Sequence, residues 1–446
     1  MNDKVIVIHP VLTQIKLSNN ESARKFERDP DAALEEAIGL AHAIDLVVVH
    51  TEIVRLKVAT PATLLGSGVV ERIKDTISRH EVGLVFVDYA LSPVQQRNLE
   101  KEWNSKVIDR TGLILEIFGA RARTREGRLQ VDLAALNYQR TRLVKAWSHL
   151  ERQRGGGGFL GGPGETQVEL DRRMIDERIK KLQQDLEGVR KNRSIQRESR
   201  KREPYPIVAI VGYTNAGKST LFNHITGAEV FAKDLLFATL DTTMRGIKLP
   251  SGKKAILSDT VGFISDLPTH LVAAFRATLE EVQDAAVILH VRDVSQENTE
   301  AEKEDVLAIL NDLGIDTEKD ERIIEVLNKI DKLPAGERKA LAARSKRQEK
   351  VVAVSALSGV GIDVLLKMID SLLSKDQQVL YVDVNLTDGR ALAWLYSHGH
   401  VMDRLDDDEF AHIKVGLEPA NIERFGAQFP YMLNKTRPRK KKAKLS

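Results

Sequence analysis

Eight consecutive residues constrain this chain more than any others: Gly212, Tyr213, Thr214, Asn215, Ala216, Gly217, Lys218 and Ser219 spell G-x-x-x-x-G-K-S. They stand between an apolar run at 207–211, which reads as a buried parallel strand, and a stretch at 219–225 that reads as a helix start. Glycines let backbone N–H groups turn toward an anion with no Cβ in the way. The following helix N-terminus adds a partial positive charge. Lys218 is expected to reach the outer phosphates of a nucleotide, and Ser219 to give its hydroxyl to Mg2+. The plain alternative is a glycine-rich strand-to-helix turn, so the decision falls to residues downstream.

Asp259, Thr260, Val261 and Gly262 follow an apolar stretch at 255–257. That places a carboxylate at a strand end, where it can hold Mg2+ through water, and lets Gly262 offer its N–H to a γ-phosphate. Asn328, Lys329, Ile330 and Asp331 follow a second apolar strand at 323–327. A carboxylate at Asp331 accepts from guanine N1–H and the 2-amino group together, a pair of donors that adenine lacks. Polar groups left unpaired in a buried site reject the wrong ligand by as much as about 10⁴ to 10⁵. GTP, and GDP after turnover, are therefore expected over ATP. Ser355, Ala356 and Leu357, behind a strand at 351–354, are expected to close over the base with a backbone N–H. Three motifs in this order, each behind a strand, outweigh reading any one as a solvated loop.

Between these motifs lie Phe237, Ala238, Thr239, Leu240, Asp241, Thr242 and Thr243. One threonine is needed there to complete the Mg2+ shell in the GTP state, and the residues alone leave three candidates. The position after Gly262, where many GTPases carry a glutamine that orients the attacking water, is Phe263. A phenyl ring can neither position nor polarise water, so hydrolysis is expected to be slow until another element or a partner supplies the missing group. Asn215 has two readings: a ligand for K+, standing in for an arginine finger, or a loop asparagine bonding its own backbone.

The chain has 446 residues, enough for two to four domains with their own cores. It contains no cysteine, which removes disulfides, thiolate zinc sites and cysteine nucleophiles and fits a reducing cytoplasm. No apolar run approaches the ~18 residues needed to span a bilayer. The start lacks a basic region followed by a long apolar one, so a soluble, unsecreted, cytoplasmic protein is expected. The net charge of +3 says little, but its distribution says more. Arg121, Arg123, Arg125 and Arg128 crowd one segment, and Lys435, Arg437, Arg439, Lys440, Lys441, Lys442 and Lys444 crowd the tail. Such clusters suit phosphate backbones, or are solvated charge.

Leu129, Leu133, Leu136, Leu143, Trp147 and Leu150 form one helical stripe; Val168, Ile175, Ile179, Leu182, Leu186 and Val189 form another. Between them, residues 155–164 are mostly glycine with Phe159 and Pro163, and cannot stay helical. The pattern predicts an antiparallel coiled-coil hairpin with a flexible tip. Its flanks are basic, and Arg154, Phe159, Arg172 and Arg173 near the tip could pair phosphates and stack bases of RNA. A plain helical spacer is the alternative.

Strands at 5–8, 46–49 and 84–87, alternating with amphipathic segments, predict an α/β domain with a parallel sheet at the start of the chain. Within it, Gly66-Ser67-Gly68 is too short for a nucleotide fingerprint and reads as a turn. Near the end, 379–384, 389–397, 401–405, 410–415 and 420–429 read as strand, helix, strand, strand, helix. The fold class is a multidomain α/β chain: an N-terminal α/β domain (1–120), a helical hairpin (121–203), a P-loop domain with a mostly parallel sheet (204–375), a small α+β domain (376–434) and a basic tail (435–446). The eleven histidines show no metal-ligand spacing.

Taken in order, the α/β domain with T-L-L-G-S-G and L-S-P-x-Q-x-R-N-L-E, residues 155–164 continuing E-T-Q-V-E-L-D-R-R, then G-Y-T-N-A-G-K-S and F-A-T-L-D, closely resemble the bacterial HflX GTPases of the Obg–HflX group. The resemblance covers essentially the whole chain. It favours Thr239 as the Mg2+ threonine. It implies a ribosome-associated GTPase that binds the large ribosomal subunit, contacts ribosomal RNA through its N-terminal domains and helps split stalled ribosomes under stress; separately, the free chain is expected to be a monomer. Composition and spacing alone imply only a GTP-dependent switch with an RNA-binding arm. A GTPase switch in RNA modification or ribosome assembly is the alternative, and would need a second active site, of which the sequence shows none. A weaker third reading makes the first domain an ATP-using module.

Overall fold

The computed structural model of the protein describes residues 3–13, 29–153, 167–200, 205–228, 236–237, 243–265, 281–375 and 377–435. Thr239 with Ala238, Leu240 and Asp241, the tip loop with Arg154 and Phe159, and the tail from 436 lie outside them.

The first sheet holds β1 (Lys4–Leu12), β2 (Val47–Leu56), β3 (Leu84–Val87) and β4 (Lys106–Asp109) in the order β2-β1-β3-β4, all parallel. Val5 to Ile8 are fully buried, as expected of a parallel strand covered on both faces. The four-residue β4 was not among the expected strands. The covering helices are α1 (Pro30–His42), α2 (Ser67–His80), α3 (Pro93–Trp103) and α4 (Arg110–Arg121). Asp29, Ser92 and Asp109 cap α1, α3 and α4 with side-chain oxygens, Ser92 in a reciprocal capping box with Gln95. Gly66-Ser67-Gly68 is a helix start rather than a turn: Gly66 is the N-cap of α2 and Ser67 and Gly68 open it, while the turn lies just before, at 61–63. Helix α3 holds it: Gln95 Nε2 donates to the Thr60 carbonyl at 3.3 Å and Asn98 Nδ2 to that of Ala62 at 2.9 Å.

Two long helices follow, α5 (Arg125–Gln153) and α6 (Gln167–Arg200), and they pack on each other. Arg140 reaches Asp176 at 2.7 Å, and Ile179 and Leu186 of the expected stripe are buried. The stripe on α5 needs correction. Leu129, Leu133 and Leu136 are only half-buried, while Val131 and Ala134, one face over, enter a buried cluster that the first sheet shares with the second half of the chain. The start of α5 serves two masters, its partner helix and the first sheet. Asp109 fixes the second contact, accepting from Tyr138 Oη and Arg142 Nη2, each at 2.5 Å, so Arg142 points inward.

The second sheet contains β5 (Ile207–Gly212), β6 (Thr243–Lys248), β7 (Lys254–Asp259), β8 (Val287–Asp293), β9 (Ile323–Asn328) and β10 (Val351–Ala353), ordered β10-β9-β8-β5-β7-β6. Every pair is parallel except β6 with β7, and all of β8 is buried. Around it lie α7 (Lys218–Thr226), α8 (Thr299–Asp312), α9 (Ala335–Ser345) and α10 (Ile362–Leu373).

The last sheet is antiparallel: β11 (Gln378–Asn385), β13 (Phe410–Leu417) and β12 (His400–Asp406), with α11 (Gly389–His398) and α12 (Pro419–Gln428) over one face. The element order is the one its sequence predicts. Among the described residues no helix is long and apolar enough to cross a membrane.

Candidate functional site

Strand β5 ends at Gly212, whose φ of 151° and closeness to the Val291 carbonyl leave no room for a side chain. The chain then loops through Tyr213, Thr214, Asn215 and Ala216 to Gly217, which starts α7 in the left-handed region. There a Cβ would strike Asn328 Nδ2. The loop therefore wraps the N-terminus of α7, with Lys218 as its first residue. Lys218 is buried and donates to the Tyr213 carbonyl at 2.7 Å. Burial pushes its pKa down to about 8, against the opposing pull of Asp259.

Asp259, at the end of β7, is fully buried and accepts from Ser219 Oγ at 2.8 Å. These are hard oxygen donors at adjoining strand and helix ends, which is the chemistry Mg2+ takes. Thr260 donates to the Ile210 carbonyl at 2.6 Å, and Val261 is buried. The next residues are laced to the loop: Thr214 N–H donates to the Phe263 carbonyl at 2.7 Å and Phe263 N–H to that of Gly212 at 3.1 Å. Gly262 lies so close to Lys218 Nζ and Thr214 that a Cβ would touch both. The Phe263 ring is buried in an apolar cluster with Val261 and Ile264.

The third motif closes the other side. Asn328 Nδ2 donates to the Ala216 carbonyl and its Oδ1 accepts from Ala356 N–H, both at 2.9 Å, so one amide ties the phosphate loop to the 355–357 loop. Asp331 accepts from Ser355 Oγ at 2.6 Å, which fixes its carboxylate. Ile330 is buried, Leu357 is strongly exposed, and Lys329 has a φ of 64°. The structure thus brings together Gly212 to Ser219, Asp259 to Gly262, Asn328 to Asp331 and Ser355 to Leu357. Phe237 is buried against Phe118 of α4, edge to face at 4.7 Å. Asn215 is exposed.

The arginines are less uniform. Arg121 donates to the Ala43 carbonyl at 3.0 Å, Arg173 pairs with Glu177 at 3.3 Å, and Arg123, Arg125 and Arg172 are exposed.

Sequence reasoning missed three charged residues at the site. Glu36 of α1 accepts from the Tyr213 hydroxyl and from Ser265 Oγ; Arg110 of α4 donates to Glu36, Asp88 and Ser265; Asp293 of β8 pairs with Lys329. The only sequence signal was a charge among the apolar residues of a covered helix or strand.

Comparison with known proteins gives four family matches along the chain. They are described as GTP-binding GTPase N-terminal (31–119), GTP-binding GTPase Middle Region (121–200), 50S ribosome-binding GTPase (207–329) and HflX C-terminal domain (340–426). The GTPase HflX of Magnetococcus marinus is 48% identical over 88% of this chain and 89% of its own. That of Escherichia coli is 39% identical over 97% of each chain. Among solved structures, a GTP-binding protein from Sulfolobus solfataricus in complex with GDP is 23% identical, covers 83% of this chain and 99% of its own, and has a TM-score of 0.43. With identity of this extent along nearly all its length, the chain belongs to the HflX family of GTPases and is a GTP hydrolase.

Proposed function

We propose that the protein is a GTP-driven switch that binds the large ribosomal subunit and splits or rescues stalled ribosomes under stress. The observation that carries this reading is the match of residues 207–329, the segment that holds the phosphate loop and the D-T-V-G residues, to the 50S ribosome-binding GTPases. In it, the N–H groups of 212–219 and the Lys218 ammonium bind the phosphates, and Asp331 reads guanine. Asn328 joins the two loops, and Gly262 senses the γ-phosphate. Ser219 and Thr239 would hold Mg2+ directly and Asp259 through water, and the bound ion would supply charge neutralisation at the phosphates. Asn215 is exposed, which is compatible with its taking K+.

The buried Phe263 cannot itself orient water, which supports slow turnover alone and stimulation by the ribosome. Arg123, Arg125 and Arg172 are exposed and suit ribosomal RNA, with Arg121, Arg154, Phe159 and Arg173 completing the contact.

The test is GTP turnover with and without purified large subunits, for the full chain and for one with residues 155–164 shortened. Strong stimulation of the first, lost in the second, is expected. No stimulation of either would remove the ribosome as activator and put RNA modification or ribosome assembly first. Lys218→Ala should abolish turnover; residual ATP hydrolysis would point to a second site in the first domain. Equal rates in K+ and Na+ would count against Asn215 as a cation ligand.

A further inference from the structure

We infer that Asp293 is a positioning residue for guanine nucleotides, acting through Lys329. Asp293 closes β8, where β9 runs beside it and pairs Asp293 with Asn328. Its Oδ2 lies 2.8 Å from Lys329 Nζ, and the two side chains are only 5% and 15% exposed, so the pair is shielded from the screening that makes surface ion pairs weak. The other oxygen, Oδ1, is held by Ser295, accepting from its N–H at 3.0 Å and its Oγ at 2.6 Å. The carboxylate therefore cannot swing away, and it fixes where the ammonium sits.

That matters because Lys329 is itself an unusual residue. It is a non-glycine in the left-handed region, a conformation that persists only where the surroundings over-determine it. Its neighbours Asn328 and Asp331 are held by Ala216, Ala356 and Ser355. Lys329 Cε passes within 3.9 Å of where a Cβ on Gly217 would stand, so the lysine stem crosses from the base-reading loop to the phosphate loop. A rigid stem in that place offers an apolar surface to the flat face of whatever base Asp331 holds at its edge. Asp293 is the tether that keeps the stem across the site.

The inference rests on the assignment of this site to guanine nucleotides. The experiment is equilibrium binding of fluorescent GDP to the full-length chain, compared with Asp293→Asn, Lys329→Met and the double variant. Asparagine keeps an acceptor for Ser295 and removes the charge; methionine keeps the stem and removes the ammonium. Loss of one partner of a shielded charged pair should weaken binding about ten- to hundredfold in each single variant. The double variant should bind no worse than the singles, because one interaction is lost in all three. The preference for GDP over IDP, which lacks the 2-amino group, should stay as in wild type, since Asp331 is untouched. Independent, multiplying losses in the double variant, or a collapsed GDP preference, would overturn the role through Lys329, as would wild-type affinity in Asp293→Asn. A wild-type chain that binds no guanine nucleotide would instead overturn the site assignment itself.

Discussion

The Tyr213 hydroxyl, inside the phosphate loop, donates a hydrogen bond to Glu36, on the first helix of the chain. The same oxygen accepts from Ser265 N–H at 2.8 Å, just beyond the D-T-V-G segment. One side-chain atom thus joins the phosphate loop, the chain just beyond the D-T-V-G segment and the N-terminal domain. Tyr213→Phe keeps the ring and strands a buried N–H, so it should destabilise the full chain by about 1–3 kcal/mol. Chemical denaturation reads the loss, and amide exchange at Ser265 should quicken. Unchanged exchange there would show that the hydroxyl does not hold this segment.

Arg110 is the deeper half of the same contact. Burial favours loss of its charge, but Asp88 at 2.5 Å and Glu36 hold its pKa above the ordinary arginine value. For Asp88, burial favours the neutral acid, and Arg110 with His9 more than offsets it, so the net shift is downward. Arg110→Met removes one partner and leaves two carboxylates in a closed site. The expected loss of stability is about 3–5 kcal/mol. Replacing Asp88 as well, by Asn, should recover part of it; a double variant that is no better would mean the arginine matters for packing alone.

The contrast between these residues and the nucleotide motifs shows what a sequence can and cannot disclose. Gly217, Asn328 and Asp331 were legible because they sit in short motifs, and the structure gives each a local tie: a positive φ against a neighbouring amide, an amide joining two loops, a carboxylate held by Ser355. The strands before them announced themselves as apolar runs. Glu36 and Asp293 were not legible, since their meaning comes from partners 177 and 36 residues away, and nothing in the spacing of a charged residue names its partner. The stripe on α5 misled for a related reason. A helix that packs on two neighbours carries two apolar faces, and the periodicity of Leu129, Leu133 and Leu136 hid Val131 and Ala134.

At Phe263 the structure predicts the outcome of the obvious repair. The side chain is only 1% exposed, within an apolar cluster, and its backbone is bonded to the phosphate loop in both directions. Phe263→Gln would place an amide where no water enters, so it should reduce stability by about 1–3 kcal/mol and give no faster hydrolysis in the absence of ribosomes. Single-turnover assays with thermal melts check both; accelerated turnover would show that the side chain leaves its cluster when GTP is bound.

In the C-terminal domain, His412 on β13 has both ring nitrogens on carboxylates, Nδ1 at 2.6 Å from Asp383 and Nε2 at 2.8 Å from Asp407. These two hydrogen bonds raise its pKa above the ordinary 6.5, against a small opposing effect of burial. A raised histidine pKa means that the folded state holds the proton more tightly. The contribution to stability is therefore fully present below the unfolded value and is lost as pH rises through the folded one. Asp407 also accepts from the N–H groups of Glu409 and Phe410, so it is the β12–β13 turn that should loosen on the alkaline side. Amide exchange at Phe410, corrected for its intrinsic pH dependence, should lose protection as His412 deprotonates. In His412→Gln, which cannot charge, protection should be lower throughout and independent of pH in that window. An NMR titration of the ring that gave an ordinary or lower pKa would show that the two carboxylates do not hold the charge.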